Sequence, residues 1–107
     1  YELVCTNSTN GNNIKSSAGT VYSITAFNNG TSPYYLKLYN TSSSPTVGTS
    51  TVVACYGIPA GGGNNIPIPP QGLNFSTGIS IACTGGIANS DTTTIPASTV
   101  VITVAYA

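Results

Sequence analysis

Gly19-Thr20-Val21-Tyr22-Ser23-Ile24-Thr25-Ala26-Phe27-Asn28-Asn29-Gly30 decides the fold. Through Phe27 the side chains alternate with a period of two, the repeat of a β-strand. Tyr22, Ile24 and Ala26 fall on one face, and Val21, Ser23, Thr25 and Phe27 on the other. No helical spacing competes with that pattern. The strand ends at Asn28-Asn29-Gly30, where Asn29-Gly30 tolerates the positive φ of a tight turn.

The alternation recurs along the chain. Tyr34 to Tyr39 places Tyr34, Leu36 and Leu38 on one face and Tyr35, Lys37 and Tyr39 on the other. Thr51 to Tyr56 is rich in β-branched residues and reads as a central strand. Gly78 to Cys83 aligns Ile79, Ile81 and Cys83, and Thr99 to Ala107 turns Val100, Ile102, Val104 and Tyr106 inward. Glu2 to Thr6 and Leu73 to Phe75 read as short strands. Asn7 to Ser17 is polar and reads as loop, and Gly57 to Asn65, with Gly61-Gly62-Gly63, as a turn or mobile loop. Alternating prolines restrict Ile66-Pro67-Ile68-Pro69-Pro70 to an edge strand or surface strap. Asn40 to Ser50 and Thr84 to Ser98 exceed hairpin length, as crossovers or functional surfaces do. The expected architecture is all-β: an antiparallel β-sandwich or jelly roll of about seven to eight short strands. It forms one domain over residues 1–107, with 1–17 as a candidate extended amino-terminal segment.

Composition narrows function by exclusion. Glu2, Lys15, Lys37 and Asp91 are the only charged side chains, and histidine is absent. Acid–base catalysis near neutral pH therefore has almost no groups to work with, and no serine-hydrolase base exists. Asp91 alone makes neither a glycosidase pair nor a metal cage and reads as a turn residue. Two scattered lysines and no arginine argue against nucleic acid. The triple glycine lacks the Lys and Ser/Thr of a phosphate loop. No run approaches the roughly 20 apolar residues that span a bilayer. Cys5, Cys55 and Cys83 are odd in number and lie in apolar runs, which favours reduced core thiols; a Cys55–Cys83 disulfide is the alternative. No CxxC pair supports zinc. No catalytic, cofactor-binding or metal-binding residues are expected, and no enzyme.

Surface chemistry remains. Ser, Thr and Asn make up well over a third of the chain, so exposed faces carry hydroxyls and amides in place of charges. Net charge is zero, which leaves little repulsion between copies. Tyr35 and Tyr39 flank Lys37 on one strand face. Such a strip suits a protein interface, where tyrosine is enriched, or sheet packing, or sugar stacking in a carbohydrate-binding or adhesin-like module.

A succession of segments carries a resemblance. Ser17-Ala18-Gly19-Thr20-Val21-Tyr22 precedes Tyr35-Leu36-Lys37-Leu38-Tyr39-Asn40 and Pro45-Thr46-Val47-Gly48-Thr49. The strap Ile66-Pro67-Ile68-Pro69 and Gly72-Leu73-Asn74-Phe75-Ser76-Thr77-Gly78-Ile79 follow, then Ala88-Asn89-Ser90-Asp91-Thr92 and the terminal valine-rich strand. In order and spacing this resembles small structural proteins of tailed bacteriophages. The resemblance implies a head decoration or cement protein on the capsid exterior, assembled in the host bacterial cytoplasm. It implies the major capsid protein as partner and self-association as a homotrimer, with no nucleic acid, membrane or cofactor. The expected contact residues are Tyr35, Lys37, Tyr39, Ile66, Pro67, Ile68, Pro69 and Pro70.

Overall fold

The computed structural model describes residues 1–107 and is built from nine strands, with no helix. In chain order they are β1 (Glu2–Val4), β2 (Asn12–Lys15), β3 (Gly19–Asn28), β4 (Tyr34–Tyr39), β5 (Val52–Ile58), β6 (Gly62–Ile66), β7 (Leu73–Phe75), β8 (Ile79–Thr84) and β9 (Val100–Tyr106). Every pairing is antiparallel. One sheet runs β1-β9-β3-β6, with β7 sharing the remaining edge of β3; the other runs β2-β8-β4-β5. With β7 set aside, the eight strands order as first, eighth, third, sixth and second, seventh, fourth, fifth. That is the strand order of a jelly roll.

The core lies between the sheets. Val21, Ile24 and Ala26 of β3 and Val100, Ile102 and Val104 of β9 meet Leu36 and Leu38 of β4 and Ile79, Ile81 and Cys83 of β8. Each fully buried aliphatic side chain contributes about 1.5–3 kcal/mol, so the period-2 pattern supplies the stability as well as the strands. Ile95, on the long connection from β8 to β9, adds to this core and bridges to Ser8.

Several expectations are corrected. Val21 faces the core and Tyr22 faces solvent, the reverse of the simple alternation. A bulge is the cause: Val21 pairs with Tyr106 and Ser23 with Ala105, so Tyr22 is an extra residue that flips the phase. Tyr106 runs past the core and is exposed. β5 is an edge strand, not a central one. The triple-glycine segment is not a free loop, because Gly62 and Gly63 open β6 and pair with Asn28 and Phe27. Residues 1–17 are integral to the sandwich: β1 extends one sheet and β2 the other. All three cysteines are free, the reading the sequence favours over a Cys55–Cys83 disulfide, but Cys55 lies outside the core. Cys83 points into the core, while Cys55 lies opposite Lys37 on the outer face, so one sheet separates the two thiols.

Candidate interaction face

The two outer faces of the sandwich differ. On the β2-β8-β4-β5 sheet, Tyr35, Lys37 and Tyr39 share the outer face with Ser80, Ala82 and Thr84 of β8. Except for half-buried Tyr35, all of these are buried. The cover comes from the two long connections. The Ser80 hydroxyl hydrogen-bonds the carbonyls of Thr41 and Ser43, and the Asn13 side-chain amide donates to the Thr41 carbonyl. Over β4, the Lys37 ammonium donates to the Ala88 carbonyl at 2.5 Å. The two connections also touch: a methyl group at Gly48 would overlap Thr92 and crowd the Ser90 carbonyl.

Asp91 shapes the second of these loops. Its carboxylate accepts from the Gly86 amide (3.1 Å), the Thr93 amide (2.8 Å) and the Thr93 hydroxyl (3.1 Å). The Thr93 amide contributes most to holding this carboxyl below its usual range; the Thr93 hydroxyl, the Gly86 amide and the Lys37 charge add to it. Asp91 is the turn residue its sequence context predicts. The loop presents Ile87, 68% exposed, at its surface.

The expected contact strip is therefore corrected. Lys37 and Tyr39 are fully buried and present no surface to a partner. Tyr35 is half-buried and packs over Gly57, its ring carbon 3.8 Å from where a side chain would begin. A pair of tyrosines stacking on sugar is not available here. No local signal could have revealed this, because the cover comes from residues distant in sequence. The strap divides: Ile66 is buried and Ile68 half-buried against the core, whereas Pro67, Pro69 and Pro70 are exposed.

The outer face of β1-β9-β3-β6 is open. Pairing places Val4 opposite Val101, Val101 opposite Phe27, and Phe27 opposite Gly63, which makes one transverse row. The next row is Glu2, Thr103, Thr25 and Asn65. Val4 and Phe27 are each about half exposed, at 49% and 51%. The Phe27 ring lies 3.4 Å from the vacant Cβ position of Gly63, so the glycine leaves a shallow depression beside an aromatic. Glu2 is the one charged side chain in these two rows. The sequence signal was Phe27 itself, an aromatic on the face opposite Ile24 and Ala26.

What this face offers is apolar contact and neutral hydrogen-bonding groups. No cluster of His, Cys, Asp or Glu suited to a metal ion is present. No helix is long and apolar enough to cross a membrane. The molecule is an all-β sandwich with one outer face covered over β8 and β4 by its own loops and one open outer face. Comparison with known protein families, characterised proteins and solved structures returns no match.

Proposed function

We propose that this chain is a non-enzymatic structural protein of a tailed-phage virion, a capsid decoration protein that docks on the outside of the major capsid protein shell. The observation that carries the reading is the open face of β1, β9, β3 and β6, with its Val4–Val101–Phe27 row, beside a second face closed by the chain's own loops. Jelly rolls recur in capsid proteins; fold alone assigns no function, and the order of segments resembling phage structural proteins supplies the rest. A flat neutral face binds weakly per copy, and repetition across a shell multiplies such contacts. Self-association belongs to this reading, and the resemblance makes it three-fold. Three free thiols are compatible with assembly in a reducing cytoplasm.

The test is attachment to purified capsids, with cryo-EM of the virion. Attachment survives about 1 M salt, where the Debye length is near 3 Å. Phe27→Ser weakens it about thirtyfold, as loss of a contact worth about 2 kcal/mol would. Salt-driven release, an unaltered Phe27→Ser variant, or density for the chain inside the tail would overturn the reading.

A further inference from the structure

We propose that β5 is a self-pairing edge, along which two copies of the chain join antiparallel about a two-fold axis at Cys55 and merge their four-stranded sheets into one of eight strands. Free edges expose unpaired backbone groups, and natural sandwiches blunt them with brevity, charge, proline or irregularity. Three of the edges here are blunted in those ways. β1 has three residues and carries Glu2. β2 has four, carries Lys15 and shifts register between Asn13 and Lys15. β6 has five and runs directly into Pro67, Pro69 and Pro70. β5 has seven residues with neither charge nor proline, and its one irregularity, the bulge at Val53, leaves Ala54–Ile58 regular. The charge beside it is Lys37, opposite Cys55, which is buried with its ammonium on the Ala88 carbonyl and so is withheld from a second copy.

The ladder fixes which groups are free. The Cys83 amide donates to the Thr9 carbonyl, away from β4, so Leu36 opposite Cys83 turns its backbone groups toward β5. Alternation then turns those of Cys55 and Gly57 away from β4, to the open edge. The Asn64 side chain already caps the Gly57 carbonyl from that side at 2.9 Å. The Cys55 amide and carbonyl and the Gly57 amide remain for a partner strand. Val53 is an extra residue in the β4–β5 register, which confines the regular stretch to Ala54–Ile58.

Those groups call for an antiparallel strand, and a second β5 supplies one by symmetry. Cys55 is the residue of the regular stretch whose outward amide and carbonyl are both uncapped. A two-fold axis there pairs Cys55 with its symmetry mate through two hydrogen bonds, with Cα atoms about 5.5 Å apart. That Cα spacing lies within the disulfide range of about 4.4–6.8 Å, and the Cβ atoms, about 5.5 Å apart in such a pair, must close by about 1 Å for the bond to form. The product is a dimer, not the trimer that the resemblance implies, and it does not depend on the capsid reading.

The test uses the full chain. Light scattering gives twice the monomer mass. Copper-phenanthroline oxidation at alkaline pH links the copies through Cys55, because Cys5 and Cys83 are buried whereas Cys55, whose thiol burial also raises, is the one that reaches the surface. Cys55→Ser remains a dimer without the link. Gly57→Pro is monomeric with an unchanged melt, since it removes only an outward amide and its Cβ meets nothing closer than 3.8 Å. Amide exchange at Cys55 and Gly57 in the wild-type chain slows as concentration rises, which tests the edge independently of any variant. A monomer or trimer, a dimer without a Cys55 link, or exchange indifferent to concentration overturns the proposal.

Discussion

The Lys37 ammonium and the Ala88 carbonyl are hydrogen-bonded across the outer face of β4, which fastens the 85–94 loop to the sheet. Lys37 is fully buried, although it belongs to a residue type almost never found so. Its role follows from its position. The stem fills the space under the loop, and the charge holds the loop down. Lys37→Met keeps the stem and removes the charge. Replacing a buried charged group with a well-packed apolar one is often neutral, so chemical denaturation should show a change within about 1 kcal/mol. Amides from Gly85 to Asp91 should exchange faster. Lys37→Ala also loses the packing and should cost about 2 kcal/mol or more. Unchanged loop exchange in Lys37→Met would show that the bond does not hold the loop.

Asp91 gives the same loop a pH dependence of known sign. Its carboxyl titrates below the ordinary 3.8, chiefly because the Thr93 amide donates to the ionised form. A depressed folded value means stabilisation that is present above the unfolded value and lost as pH falls through the folded one. Loop amide exchange, corrected for its intrinsic pH dependence, should be level from neutral pH to about 5 and rise below 3.8. Asp91→Asn should exchange fast at neutral pH and lose that acid-dependent rise. A wild-type loop that loosens at pH 6 would assign the switch to another group.

How much of this was legible follows from where each determinant sits. β8 and β9 were readable because Ile79, Ile81, Val100, Ile102 and Val104 carry their pattern locally. β6 was not: Gly62-Gly63-Asn64-Asn65 has no apolar alternation, and its strand character comes from pairing with β3. β2, in Asn12-Asn13-Ile14-Lys15, failed for the same reason, since β8 supplies the template. The phase error at Tyr22 came from a bulge that only the β9 register defines. The contact site was misplaced because Lys37 and Tyr39 are covered by residues from Thr41 to Ala88, and polarity normally reports exposure. Phe27 alone signalled the open face, by standing opposite the core pattern.

Tyr39 tests the closed face from another side. Its hydroxyl is buried without a hydrogen-bond partner, and burial raises its titration above the ordinary tyrosine value. A desolvated, unpaired hydroxyl costs about 1–3 kcal/mol. Tyr39→Phe removes that cost and keeps the ring's packing, so the variant should be as stable as the parent or about 1 kcal/mol more so. Urea denaturation measures it, with an unchanged slope confirming the same fold. A loss greater than about 1 kcal/mol would mean that the hydroxyl does have a partner, such as a buried water.

Gly78 marks where the closing loop meets the sandwich. A methyl group there would overlap the carbonyls of Thr41 and Lys15, both backbone atoms that cannot rotate aside. The same corner is tied by the Asn40 side-chain oxygen, which accepts from the amides of Thr77 (2.8 Å) and Gly78 (3.3 Å). Gly78→Ala must therefore push the 40–51 connection off β2 and β8 or distort the start of β8. Overpacking of this kind costs about 1–3 kcal/mol. Gly62→Ala is the matched control, because its Cβ would make only an ordinary contact with Pro59 at 3.8 Å. The control should be neutral or slightly stabilising, since alanine lowers the entropy of the unfolded chain. Thermal melts of the pair decide the matter. Equal melting temperatures would mean that the connection yields freely and that the seal over Ser80 and Lys37 is looser than the close approach at Gly78 requires.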